Sequence, residues 1–169
     1  MLKVLILGSA AGGGSPQWNC NSEISKAVRE KVVGTSPRTQ SSIVVTANDD
    51  EWFLFNASPD LGSQILNNEQ MHPQKGLRHS PISGVVLTNG DVDHVAGLLT
   101  LRERQNLAVY AHSRVHNVLK DNSILSTLEL SKKVETVKLF HKTLQLFLNL
   151  EKFLSKIFLH RTHQKQGGC

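Results

Sequence analysis

"LTNGDVDHVAGL" (residues 87–98) closes a short apolar run and sets Asp91, Asp93 and His94 almost side by side in the chain. The preceding "ISGVVLT" (82–88) reads as a strand. Ligands on a loop just past a strand end converge readily, because the sheet fixes the base of the loop. Two carboxylates and an imidazole suit zinc, iron or manganese better than calcium or magnesium. A plainer reading is equally open. Asp91 or Asp93 then merely caps the following helix, and His94 is an ordinary residue of its first turn.

Outward from this stretch the pattern is that of an α/β protein, a sheet covered by helices. Asn89 or Asp91 opens a helix through "DHVAGLLTLRERQ". "LAVYA" (107–111) is a further strand, and "SRVHNVLKDN" (113–122) a helix capped by Ser113. Upstream, "KVLILG" (3–8) reads as a buried strand. A loop, "GSAAGGGSPQWNCN" (8–21), and a short helix, "SEISKAVREKVV" (22–33) capped by Ser22, follow it. Ile43–Thr46 and Trp52–Phe55 are the arms of a hairpin with "NDDE" as its turn. Pro59 stands at the first position of a helix that Ser58 caps and that runs to about Asn67. "NNEQMHPQKGLRHSP" (67–81) is a polar loop.

Two upstream features invite chemistry. Gly8, Ala10 and Gly13 fit a relaxed dinucleotide-binding pattern. That mechanism needs a helix N-terminus aimed at a pyrophosphate, and "GSPQWN" cannot continue as a helix. The glycines then make a tight turn at a sheet end, or let bare backbone line a pocket. Cys20 stands alone, and a lone cysteine is expected to be buried and inert.

The chain has 169 residues, 39% of them hydrophobic, and a formal net charge of +5. One domain with an appendage is expected. Cys20 and Cys169 are too few for a disulfide scaffold, so a reduced, cytoplasmic protein is expected. "MLKVLILG" is too short an apolar run for a signal peptide and reads as a first strand. The excess charge sits late: Lys132, Lys133, Lys138, Lys142, Lys152, Lys156, Arg161 and Lys165 face only Glu135 and Glu151. No basic face interleaved with aromatics precedes that tail, so nucleic acid is not an expected partner. Within 139–161, Leu139, Phe140, Leu144, Phe147, Leu150, Phe153, Leu154, Ile157 and Phe158 form an apolar stripe opposite lysines. This is a basic amphipathic helix, suited to the core, to a membrane surface or to a partner.

"TNGDVDHVAG" (88–97) resembles the T-H-x-H-x-D-H-x-x-G signature of the metallo-β-lactamase superfamily. Thr88, Asp93, His94 and Gly97 stand in the signature's places, while Asn89 and Asp91 replace its two leading histidines. "LGSAAGGGSPQWNCN" (7–21), "RTQSSIVV" (38–45), "NASPDL" (56–61), "GVVLTNGDVDHVAGLLTLRE" (84–103) and "VYAHSRVHNVL" (109–119) resemble one branch, the coenzyme PQQ synthesis protein B family. That family has Cys-x-Cys-x-x-Cys after the Trp-Asn. Here Ser22 and Ser25 leave that thiolate set for a structural zinc incomplete.

The resemblance covers residues 1 to about 125. It implies the N-terminal half of a four-layer αβ/βα sandwich, with 126–169 an atypical tail. The composition shift near residue 130 points to a truncated form or, more, to a shift of reading frame. A missing second half leaves one sheet face bare. About 500 Å² of bare apolar face forgoes on the order of 12 kcal/mol, as much as a whole folding free energy, so a homo-oligomer is an expected outcome. For function, the resemblance implies a part in making pyrroloquinoline quinone (PQQ). One form is a non-haem oxygenase acting on a tyrosine-derived precursor, with Asp91, Asp93 and His94 holding a divalent metal, iron or zinc. Another is a carrier of PQQ or its precursor toward the periplasm. A third is a metal-binding or structural remnant. PQQ or its precursor and other PQQ-synthesis proteins are the implied partners. Ser58 and Asp60 are expected at the same pocket's edge.

Overall fold

In the computed structural model five strands form one sheet in the order β1-β2-β3-β4-β5. They are β1 (Lys3–Gly8), β2 (Ser42–Thr46), β3 (Trp52–Phe55), β4 (Ile82–Leu87) and β5 (Ala108–Ala111). The structure describes residues 1–103 and 107–128. The chain divides into two units, Met1–Glu135 and Thr136–Cys169. The second unit, and with it the amphipathic helix read over 139–161, lies outside the described residues.

The β1–β2 and β2–β3 pairs are antiparallel, and the β3–β4 and β4–β5 pairs parallel. The short "NDDE" turn makes the antiparallel hairpin, with Asn48 Oδ1 accepting from the Asp50 and Glu51 amides. Parallel neighbours need a crossover, and each crossover here carries a helix. Helix α1 (Glu23–Arg29) lies between β1 and β2, α2 (Leu61–Leu66) between β3 and β4, α3 (Val92–Val95) between β4 and β5, and α4 (Ser113–Asp121) follows β5.

One face of the sheet carries the core. Val44, Leu54, Val85 and Val109, one from each of four strands, meet Leu61 of α2, Val95 of α3, and Val115 and Leu119 of α4. Alternation along the strands sends the intervening residues to the other face. There Val45, Phe55 and Val86 are buried, but Val4, Ile6 and Phe53 are 45%, 44% and 37% exposed. The expectation of a buried first strand is therefore corrected. β1 is an edge strand, and only its Leu5 and Leu7 side packs on the core. Gly84 suits this second face. A Cβ there would come within 3.0 Å of both Phe53 and Tyr110, whose tilted rings pack 6.2 Å apart.

Four helix boundaries differ from the sequence reading, the first being α1, which stops at Arg29 and not at Val33. α2 begins at Leu61 with Asp60 as its N-cap, because Ser58 does not cap it. The Ser58 hydroxyl is fully buried and donates to Gln64 Oε1 at 3.1 Å. α4 is capped by His112, whose Nδ1 accepts from the Arg114 amide, so Ser113 is already helical. The helix opened at Asp91 keeps α geometry only over Val92–Val95 and then tightens to a 3-10 helix over Ala96–Leu101. Ser22 caps α1 as expected, accepting from the Ser25 amide.

Candidate metal centre

The C-terminal ends of β3 and β4 lie side by side, so the loops that leave them share one sheet edge. The β4 loop is set from its first residue. Thr88 donates from both its amide and its hydroxyl to Asn56 Oδ1, at 3.0 Å each. Asn56 is buried at the end of β3 and has a positive φ of 59°. Asparagine is among the few residues that tolerate this left-handed conformation.

Past Thr88 the chain turns on Asn89, whose Oδ1 accepts from the Asp91 amide at 3.0 Å. Asp91 has extended backbone and is the N-cap of α3, but its carboxylate makes no capping hydrogen bond. Its main-chain carbonyl instead accepts from His94 and Val95. The carboxylate thus stays outside the helix's own hydrogen bonding, unlike a simple cap. Asp93 and His94, both half-buried, follow on the first turn. Ligating atoms of Asp91, Asp93 and His94 all lie within 4.8 Å of one another. That spacing and that donor set fit a divalent ion of the zinc or iron type.

The turn is clamped from below. Ala57 donates to the His94 carbonyl and accepts from the Gly97 amide, both at 2.8 Å. Gly97 has no room for a side chain, since a Cβ there would lie 2.2 Å from the Ser58 carbonyl oxygen.

The glycine loop closes the cluster from above. A Cβ on Gly12 would stand 3.0 Å from Asp93 Oδ2, so bare backbone faces that carboxylate. Two of the three readings of the loop fit this placement: a tight turn, with Gly14 N–H donating to the Ala11 carbonyl and positive φ at Gly13 and Gly14, and bare backbone lining a site. The loop is held by polar groups that local sequence gave no reason to select. Gly13 donates to Gln40 Oε1. Gln40 in turn donates from its amide and its Nε2 to Asp60 Oδ2, at 2.9 and 3.1 Å. Gln64 Nε2, buried, donates to Thr39 Oγ1 and to the Gln40 carbonyl. Asp60 therefore supports the loop that touches Asp93, whereas Ser58 lies wholly inside.

Cys20 is half-exposed rather than buried. Its thiol sits 3.2 Å from the Ser22 hydroxyl. Hydrogen bonding from Ser22, then Ser25, lowers its pKa to about 7. A lowered pKa enlarges the thiolate fraction at neutral pH. Alkylation of Cys20, followed by peptide mass spectrometry to separate it from Cys169, is expected to rise through about pH 7. Ser22→Ala should move that midpoint upward, and an unmoved midpoint would refute the role given to Ser22.

Residues 51–151 match the family model described as β-lactamase superfamily domain. The chain belongs to the β-lactamase superfamily. Among curated relatives it is 53% identical over 127 residues to coenzyme PQQ synthesis protein B of Methylobacterium radiotolerans, covering 75% of this chain and 42% of the relative. It is 50% identical over 149 residues to the protein of that name from Rhodopseudomonas palustris, covering 85% and 48%. The crystal structure of Zn²⁺-bound PqqB from Methylobacterium extorquens superposes with a TM-score of 0.73 at 53% identity, over 76% of this chain and 43% of that one. A diphosphatase of the PhnP family superposes with a TM-score of 0.60 at 21% identity, a likeness of fold. The chain spans about half the length of the curated relatives it matches.

Proposed function

We propose that the chain serves PQQ biosynthesis and that Asp91, Asp93 and His94 hold a divalent metal, zinc or iron, at the C-terminal edge of β4. The observation that carries the reading is the convergence of these three side chains within 4.8 Å on a turn tied to Ala57 by two backbone hydrogen bonds. The PqqB relative whose structure is described as Zn²⁺-bound supports the same choice of metal class.

The finer reading is oxygenation of a tyrosine-derived precursor. When bound, a metal of this class supplies Lewis acidity and, as iron, redox access to oxygen. The chain's own residues supply the rest. Two carboxylates offset the cation's charge. The imidazole adds a neutral nitrogen donor. The bare backbone at Gly12 leaves an approach beside Asp93 that any side chain would narrow.

Equilibrium dialysis of the full chain against zinc, and anaerobically against ferrous iron, tests this. About one ion per chain is expected. Asp93→Ala and His94→Ala should each weaken binding by more than the 10- to 100-fold that loss of an outer-sphere partner costs, with far-UV circular dichroism unchanged. Metal uptake unaltered by both substitutions would overturn the assignment. PQQ binding that survives both would favour a carrier over an oxygenase.

A further inference from the structure

His94 offers two ring nitrogens, and only a deprotonated one can bind a cation. One of them, Nδ1, lies 2.5 Å from Asn89 Oδ1. Which of the pair donates depends on how the Asn89 amide is turned, and a neighbour decides that. The Asp91 backbone N–H, a donor and never an acceptor, points at the same Asn89 atom at 3.0 Å. That atom must be the carbonyl oxygen. An amide oxygen only accepts, so the His94 nitrogen facing it must carry the proton.

We propose that Asn89 is a positioning residue that holds His94 as the Nδ1–H tautomer and so presents Nε2 as its metal-binding nitrogen. The proposal rests on the metal reading above and assigns a task within it. Histidine ligands generally donate their second N–H to an oxygen acceptor, which sets ring orientation and tautomer. Here the acceptor is five residues from the ring it orients and on the same turn. The one Oδ1 also shapes that turn through the Asp91 amide, so ring and loop are set by the same atom. Asn89 occupies the place of the first histidine in the signature that this stretch resembles. At that position the chain thus has a group that acts on a neighbouring ligand instead of one that binds the ion.

The test uses the full chain, metal-free, with ¹⁵N-labelled histidine. Long-range ¹H–¹⁵N correlation reads the tautomer, and the spectrum of His94→Gln assigns the His94 signals. Wild-type His94 is expected as Nδ1–H. Asn89→Leu should shift it toward Nε2–H and weaken zinc binding, read by competition with a chromogenic chelator, about 10- to 100-fold. Asn89→Asp keeps an acceptor facing Nδ1 and should hold the tautomer near wild type. Should Asn89→Leu not fold, Asn89→Ser, whose shorter side chain withdraws the acceptor, is read in the same way. A wild-type ring in the Nε2–H form overturns the proposal. So does an unchanged tautomer and unchanged zinc affinity in a folded Asn89→Leu or Asn89→Ser, with the metal reading left standing. A wild-type chain that takes up no zinc overturns the metal reading, and the purpose given to Asn89 with it.

Discussion

Gly97→Ala is expected to destabilise the fold by about 3–5 kcal/mol, a large part of a typical domain's stability. The added Cβ would stand 2.2 Å from the Ser58 carbonyl oxygen and 2.7 Å from the Ala57 carbonyl carbon. Both are backbone atoms, so no rotamer change relieves the clash. The 3-10 helix after α3 and the β3 loop would have to separate. That separation breaks the Ala57 N–H to His94 carbonyl bond and the Gly97 N–H to Ala57 carbonyl bond, each worth about 1 kcal/mol. In thermal melts the midpoint should fall by roughly 10–20 °C. Gly62→Ala is the matched control. Its Cβ would meet only Thr100 Cγ2, at 3.8 Å, and it lies inside α2. Replacing a helical glycine by alanine there should leave stability unchanged or raise it by about 0.5–1 kcal/mol. A Gly97→Ala midpoint equal to that of Gly62→Ala would show that the tight approach at Gly97 does not constrain the fold.

The contrast between these glycines also marks what could be read from the chain and what could not. The strands were legible because β-branched and aromatic residues in short runs leave few alternatives, and "NDDE" between two such runs makes a hairpin. The three candidate ligands were legible because they are neighbours in sequence. Their supports were not. Gln40 binds Asp60 across 20 residues of chain, and Asn56 binds Thr88 across 32. No local pattern encodes such a pairing, and an isolated Gln or Asn in a loop gives no periodic signal. The helix start read at Ser58 failed for a related reason. Ser58 is a good cap in isolation, but inside the fold its hydroxyl finds Gln64, and tertiary hydrogen bonding overrides the local preference. Gly97 belongs to the same class. Its place in the signature was visible, whereas the carbonyl it must pass at close range is on another strand's loop.

Asn56 allows the support of the loop after β4 to be measured apart from the proposed ligands. Asn56→Ala should cost about 3 kcal/mol, made of two separable parts. Alanine at a φ of 59° takes on a left-handed strain of about 1–2 kcal/mol. It also withdraws the oxygen that receives both the Thr88 amide and the Thr88 hydroxyl, and a half-buried donor left without a partner costs about 1–3 kcal/mol. Asn56→Gly incurs only the second part, since glycine adopts the left-handed region freely. The expected order of urea midpoints is therefore wild type, Asn56→Gly, Asn56→Ala. Zinc affinity is expected to follow a different order. It depends on Thr88 being tied down at the start of the ligand loop, so Asn56→Gly and Asn56→Ala should weaken it alike while differing in stability. Equal stability of the glycine and alanine variants would remove the strain contribution. Wild-type zinc affinity in both would mean that the loop keeps its shape without Asn56, leaving the clamp at Ala57 and Gly97 as what holds Asp93 and His94 in place.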